Sequence, residues 1–199
     1  MPLDLPAGRH GNERVIEYNW VLNQIKPNSS VLDIGTVAPP IMSGYPEYVF
    51  NLTRRLGCRY TTMDVMPGAN LLLDIRHADL PAKSFDYVVA ISTLEHVTLY
   101  PESALANMAH IGKNVLVTMP YGLDHEMPWG YNYGRERLLK LWDRADFSPT
   151  IAEYYAHLPE GWTACEEKAL ARTPYGAYDS EAAGVVCFGY LQSQSGPPV

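Results

Sequence analysis

Acidic side chains end several of the predicted strands of this chain. Asp33 closes an apolar run, Asp64 and Asp74 close the next two predicted strands, and residues 92–96, Ser-Thr-Leu-Glu-His, follow a fourth. Ligands in open α/β sheets bind outside the carboxyl ends of the strands, so these residues are expected to meet at one edge. A single aspartate in such a place is often only a turn former. Three at successive strand ends indicate a binding site.

The loop after the first predicted strand contains one glycine, Gly35, where a dinucleotide fingerprint needs three. Val37 and Ala38 or Pro40 stand at the other glycine positions. Side chains there prevent the backbone from approaching a pyrophosphate. The loop therefore argues against a nicotinamide or flavin dinucleotide and leaves room for a ligand without a pyrophosphate.

Hydrophobic periodicity predicts strands that alternate with helices. The predicted strands are 30–34, 59–63, 70–73, 85–92, 114–119, 150–155 and 184–191. The predicted helices are about 13–25, 43–57, 102–110 and 134–142. Connections of this length between consecutive strands imply right-handed parallel crossovers. The prediction is a Rossmann-like, doubly wound α/β fold, with a mostly parallel seven-stranded sheet, an antiparallel hairpin at its edge and helices on both faces.

Length and composition predict one domain of 199 residues, with residues 1–12 as an arm and 192–199 as a disordered tail. The net charge is −7 and no basic run is present, so nucleic acid is not an expected partner. Three widely spaced cysteines, Cys58, Cys165 and Cys187, fit reduced thiols of the cytoplasm better than a disulfide framework. No apolar run approaches the roughly 18 residues of a membrane span. We therefore predict a soluble, cytoplasmic protein with no membrane partner.

Four segments together resemble class I S-adenosylmethionine-dependent methyltransferases. They are Val-Leu-Asp-Ile-Gly at 31–35, Asp64, residues 74–86 and Ser-Thr-Leu-Glu-His-Val at 92–97. The resemblance covers about residues 13–155 and implies S-adenosylmethionine, which carries no phosphate, as the cofactor. Residues 120–122, Pro-Tyr-Gly, are similar to type 11-like methyltransferases of polysaccharide and natural-product clusters. That similarity implies a sugar or natural-product intermediate as the small-molecule acceptor.

The resemblance also implies a role for each matched residue. Gly35 would let the backbone approach the methionine part, and Asp33 would orient the loop or accept a hydrogen bond from the amino group. Asp64 would accept both ribose hydroxyls with its two carboxylate oxygens, and Asp74 with Ile75 would border the adenine. The full set assigned to the cofactor is Asp33, Gly35, Asp64, Asp74, Ile75, Ser92 and Thr93.

His96 is the candidate catalytic base, with Glu95 beside it. Methyl transfer is an in-line displacement, so holding the acceptor in line and excluding water supplies most of the rate. A neutral imidazole can take the proton of a hydroxyl acceptor near pH 7, and Glu95 would orient the imidazole or bind the cofactor's amino group. The alternatives are that His96 caps a helix or packs under the lid, and that Glu95 is a solvated residue of a first helical turn.

The segment 120–133 is rich in aromatic and polar side chains. Its candidate acceptor-binding residues are Tyr121, Asp124, His125, Trp129 and Tyr131. Aromatic faces stack on sugar or ring surfaces while polar groups orient them. The alternative is a loop that only covers the core. His125 and its acidic neighbours lack the spacing of a metal site, so no metal is predicted.

The predicted function is therefore methyl transfer from S-adenosylmethionine to an oxygen or nitrogen of a small molecule, with a homodimer left open. Two alternatives stay open as well. The altered loop after Gly35 fits a protein that has lost the activity and serves as a scaffold. The same fold can also carry an enzyme that does not methylate, such as a cyclase or isomerase.

Overall fold

The computed structural model describes residues 13–36, 44–128, 130–158, 161–173 and 184–192. Four sequence-based predictions fall outside these residues: the arm at 1–12, the loop positions 37–40, Trp129 and the tail after Gln192. In the described part, helices and strands alternate as the periodicity predicts.

The helices are α1 (Arg14–Gln24), α2 (Tyr45–Phe50), α3 (Pro101–Ile111), α4 (Arg135–Arg144) and α5 (Glu167–Leu170). A π-helical turn, Asn51–Arg55, continues α2, and a 3₁₀ turn, Leu94–His96, follows the fourth strand. The strands are β1 (Ser30–Ile34), β2 (Arg59–Asp64), β3 (Leu71–Leu72), β4 (Phe85–Ile91), β5 (Gly112–Pro120), β6 (His125–Met127), β7 (Gly130–Asn132), β8 (Ile151–Leu158), β9 (Gly161–Cys165) and β10 (Gly184–Tyr190). None of the helices in the described ranges has the length and apolar character needed to cross a bilayer.

Eight of these strands form one sheet in the order β3-β2-β1-β4-β5-β10-β8-β9. The strands from β3 to β5 run parallel, and β10, β8 and β9 pair antiparallel. The strand order reverses between β1 and β4, and ligands bind at such a switch point in sheets of this kind. The predicted mostly parallel α/β sheet is confirmed.

The predicted number of seven strands is wrong, because β9 adds an eighth. This strand lies at the edge of the sheet and pairs with β8 from Tyr154 opposite Cys165 to Leu158 opposite Gly161. Its sequence, Gly-Trp-Thr-Ala-Cys, lacks the continuous apolar run of the central strands, since none of its residues is fully buried. A strand stabilised mainly by its ladder to one neighbour leaves a weak sequence pattern.

Apolar side chains cover both faces of the sheet, as predicted. On one face, α1 and α2 pack through Tyr18, Val21 and Tyr48. On the other face, α3 and α4 pack through Leu105, Met108, Leu138 and Leu141. The stripe predicted for the first helix is therefore the contact of α1 with the core. It fixes α1 beside the ends of β1 and β4.

The segment predicted as a loop at 120–133 contains a short hairpin. Strands β6 and β7 pair antiparallel, with His125 opposite Asn132. Gly130 lies so close to the 3₁₀ turn that an added Cβ would collide with the carbonyl of Glu95 and lie 3.3 Å from Nδ1 of His96. The hairpin therefore packs directly against the turn that carries the candidate base.

Candidate active site

The ends of β1, β2, β3 and β4 enclose a cavity of about 510 Å³. This volume lies within the range of roughly 300–1,000 Å³ that small-molecule sites occupy. The cavity brings together eight of the residues singled out from the sequence. They are Asp33, Gly35, Asp64, Asp74, Ile75, Ser92, Thr93 and His96.

Asp33 is the most deeply buried acid of the cavity wall, with an exposed fraction of 2%. The Tyr60 hydroxyl donates to its Oδ2 at 2.8 Å, and the hydroxyls of Tyr60 and Tyr45 lie 3.0 Å apart. Burial raises the pKa of Asp33 to about 7, although the hydrogen bond from Tyr60 opposes the rise. A cation placed beside this carboxyl would favour its charged form.

Gly35 adopts a φ of +78°, which favours glycine. Its N–H donates to the carbonyl of Met63 at 2.8 Å, and an added Cβ would collide with the side chain of Thr93. Thr93 is held in turn, since its hydroxyl oxygen lies 3.1 Å from the carbonyl oxygen of Ile34 and 3.0 Å from that of Ile91 and can donate to either. Gly35 thus lets the β1 and β4 ends approach each other closely at the cavity wall.

Asp64 and Asp74 border the cavity in different ways. Oδ1 of Asp64 accepts the backbone N–H of Met66 at 2.9 Å. Asp74 is ion-paired with Arg76, whose Nη2 donates to Oδ2 at 2.6 Å, and the hydrogen bonds from Arg76 lower the pKa of Asp74. Ile75, which follows Asp74 and also lines the cavity, is buried.

Helix α1 supplies a basic wall residue that sequence reasoning missed, Arg14. Its side chain lines the cavity although the residue is only 6% exposed. Burial disfavours the charged guanidinium, but Glu17, Glu95 and Glu13 outweigh burial and raise the pKa of Arg14. Arg14 is therefore a fixed positive charge at the cavity wall.

Glu17 links Arg14 to the strand ends. It is fully buried, and its Oε2 accepts Nη1 of Arg14 at 2.8 Å. Its Oε1 accepts the hydroxyls of Ser92 at 2.6 Å and Thr118 at 2.8 Å. The sequence signal was an Arg and a Glu three residues apart in a helix, which more often marks a solvated ion pair.

Ser92 has a φ of +40°, in the left-handed region that non-glycine residues rarely adopt. Its N–H donates to the Thr118 carbonyl at 3.0 Å, and its hydroxyl donates to Glu17. Strained backbone of this kind persists where surrounding contacts hold it, often at functional sites. Ser92 redirects the chain from β4 towards His96.

Glu95 and His96 point to different surroundings. His96 is exposed and lines the cavity, whereas Glu95 is 1% exposed and does not line it. Nε2 of His96 lies 3.9 Å from Oε1 of Glu95, which is longer than a hydrogen bond. Oε2 of Glu95 has no hydrogen-bond partner in the described part of the chain, and burial raises its pKa to about 8. Glu95 is therefore buried, unlike the solvated residue considered from the sequence.

Of the candidate acceptor residues in the segment 120–133, the four that the structure describes, Tyr121, Asp124, His125 and Tyr131, do not line the cavity. Tyr121 is buried and donates its hydroxyl to Glu167 at 2.6 Å. Asp124 forms an ion pair with Arg137, whose guanidinium lies 4.1 Å from the ring centre of Tyr131. His125 is exposed on β6. Asp124 and Tyr131 thus hold the hairpin against α4 through Arg137, and the hairpin reaches the cavity through its contact with His96.

The described residues contain no group of three or more His, Cys, Asp or Glu side chains that could hold a metal ion. Asp124, the neighbour of His125, forms an ion pair with Arg137.

Solved structures with similar folds include enzymes of known and inferred chemistry. A methyltransferase from Thermotoga maritima, described as a possible histamine N-methyltransferase, matches with a TM-score of 0.53 at 15% identity, over 89% of each chain. Phosphoethanolamine N-methyltransferase 2 of Haemonchus contortus, solved with S-adenosyl-L-methionine, gives 0.55 at 14% identity, over 87% of this chain and 51% of its own. The cyclase SpnF gives 0.54 at 16% identity, over 69% of this chain and 58% of its own.

No protein-family model matches the chain, and no curated protein matches it in sequence. The chain also spans little more than half the length of the SpnF and Haemonchus structures. Matches at these identities show the fold. The chain has the fold of class I S-adenosylmethionine-dependent methyltransferases.

Proposed function

We propose that this protein is an S-adenosylmethionine-dependent methyltransferase that acts on an oxygen or nitrogen of a small molecule. The observation that carries the proposal is that Asp33 and Arg14 both lie in the wall of one cavity at the strand switch point. A buried carboxyl and a buried guanidinium match the ammonium and carboxylate of an amino-acid head group. Asp64 stands in the same wall, at the end of β2.

The residues present fit the cofactor. A bound ammonium would favour ionisation of Asp33, whose pKa burial holds near 7. The carboxylate oxygens of Asp64 would accept the ribose hydroxyls, and buried Ile75 would contact the adenine. Gly35 brings the backbone itself to the wall, where any side chain would collide with Thr93.

The bound cofactor would supply an activated methyl group. The residues of the chain would orient the acceptor, exclude water from the cavity and accept a proton. Tyr18 and Tyr45 line the same cavity as Asp33, and their aromatic rings would help to exclude water. His96 lines the same cavity and is exposed, so it can reach a proton on an acceptor that enters from solvent. We assign His96 as the general base for a hydroxyl acceptor.

The acceptor is proposed to be a sugar or natural-product intermediate. The support is the resemblance of residues 120–122 and the position of the β6–β7 hairpin, which packs on His96 through Gly130. In this arrangement the hairpin shapes the acceptor side indirectly, because Tyr121 and Asp124, which precede it, are engaged with α5 and α4.

Two measurements test the proposal together. Calorimetry is expected to show binding of S-adenosylmethionine and of S-adenosylhomocysteine, and mass spectrometry is expected to show an added methyl group on a member of a hydroxyl and amine acceptor panel. Absence of heat with either ligand at millimolar concentration would remove the enzyme proposal. Binding without methylation of any acceptor would favour a reaction of another class, and SpnF, a cyclase, shares this fold.

A further inference from the structure

We propose that Glu17 is a positioning residue that sets Arg14 to bind the carboxylate end of the cofactor. This inference rests on the proposed function and adds a specificity element that lies outside the strand ends. The candidate ligand chemistry is a carboxylate on an amino-acid head group.

Burial and bonding of Glu17 carry the first step. A fully buried carboxylate is costly unless its oxygens accept hydrogen bonds. Glu17 meets this condition with three donors, one from Arg14 on its own helix and two from Ser92 and Thr118 on the sheet. The carboxylate is thus the polar connection between α1 and the ends of β4 and β5.

The second step concerns the direction of Arg14. Glu17 engages Nη1, and a guanidinium carries five N–H donors. This contact fixes the orientation of the guanidinium fork, the group that would meet a carboxylate at the cavity wall. Because Arg14 lines the cavity, its orientation by Glu17 decides whether that fork faces a ligand.

The third step concerns the loop after Gly35. Its positions 39 and 40 are prolines, which have no N–H to offer an anion. A guanidinium from α1 supplies donors that a glycine-rich loop would otherwise provide with its backbone. Arg14 and Glu17 thus replace part of the usual loop chemistry by a side-chain pair on a helix.

The test compares two ligands that differ in the head group. S-adenosylhomocysteine carries the carboxylate, and 5′-methylthioadenosine has the adenosine and thioether without it. Both oxygens of Glu17 accept hydrogen bonds, and Glu17→Gln replaces one of them by an amide N–H₂ group, which cannot accept. Arg14 is therefore expected to lose its fixed orientation. We expect roughly ten- to hundredfold weaker binding of S-adenosylhomocysteine and no change for 5′-methylthioadenosine.

Two further variants keep the test decisive. Thr118→Val removes one partner of Glu17 at similar volume and is expected to give the same selective loss, smaller in size, should Glu17→Gln fail to fold. Val21→Ala loosens the packing of α1, where Val21 is fully buried, without touching the polar cluster. It is expected to lower the melting temperature and leave both affinities unchanged.

The outcomes separate this inference from the proposed function. Equal weakening of both ligands in Glu17→Gln would show a merely structural role and overturn the inference, while methyl transfer would stand. Failure of the unaltered protein to bind either ligand would overturn both. A selective loss in Glu17→Gln that is absent once Arg14 is replaced by alanine would show that Glu17 acts through Arg14.

Discussion

Replacing Asp33 by asparagine removes a buried acid whose ionisation opposes folding. Its pKa is about 7 in the folded protein against an ordinary value of 3.8, because burial disfavours the charged form. The folded state therefore binds more protons than the unfolded state between these values, and stability falls as the pH rises through this window. The difference corresponds to about 4 kcal/mol of unfolding free energy once the pH is above 7.

We expect the Asp33→Asn variant to escape this loss, since its amide stays neutral and can still accept the hydrogen bond from Tyr60. Urea denaturation at pH 4.5, 6, 7 and 8 measures the free energy of unfolding of both proteins. The variant's value minus that of the wild type should grow with pH and level off near pH 8. Asp79→Asn, at an exposed site, changes the net charge equally and serves as the control.

The same substitution should weaken the binding of S-adenosylhomocysteine, because the amide cannot pair with the ligand's ammonium. In the wild type, affinity should rise between pH 6 and 8 as Asp33 ionises, and in Asp33→Asn this rise should disappear. A stability difference that stays flat from pH 4.5 to 8 would refute the burial argument. A pH-dependent stability difference with unchanged ligand affinity would refute the assignment of Asp33 to the amino group.

Three other substitutions test separate parts of the site. Asp64→Ala should weaken S-adenosylhomocysteine by about 1–3 kcal/mol in calorimetry, since the ribose hydroxyls lose their acceptors, while Asp79→Ala leaves it unchanged; equal affinities would contradict the ribose assignment. Gly35→Ala should lower the unfolding free energy by about 1–3 kcal/mol in urea, because φ is positive and the new Cβ meets Thr93; an unchanged midpoint would show that the wall yields. His96→Ala should lower kcat about 10²–10⁴-fold for a hydroxyl acceptor and leave cofactor affinity intact; an unchanged kcat would exclude His96 as the base.

Much of the fold was predictable because the apolar composition of the central strands indicates that they are buried. Strands β1, β4 and β5 are nearly continuous apolar runs, and their predicted positions agree with the structure to within one or two residues at most ends. The cavity residues at the strand ends were predictable for the same reason, since the end of a parallel strand fixes where the next residue lies. Edge strand β9 and the β6–β7 hairpin were missed because these strands are short, at three to five residues, and none is a continuous apolar run.

The helical part of the site was beyond the sequence for a different physical reason. Glu17 accepts hydrogen bonds from Ser92, which lies 75 positions later in the sequence, and from Thr118, which lies 101 positions later. Its burial therefore depends on partners that no local pattern reveals. Tyr121 and Asp124 show the converse. Both residue types suit an acceptor pocket. In the structure, however, Tyr121 bonds to Glu167 and Asp124 to Arg137, so their polar groups are engaged within the protein. Residue type predicted the edge of the sheet well and the direction of individual side chains poorly.

The long separation between Glu17 and Thr118 also has a consequence for biosynthesis. The helix that carries Glu17 leaves the ribosome 101 residues before Thr118 does. Until then the buried carboxylate lacks one of its two hydroxyl donors from the strand ends, and water solvates it better than the incomplete interior does. We therefore expect this helix to dock only once β5 has emerged, so that the cavity wall is completed late in translation.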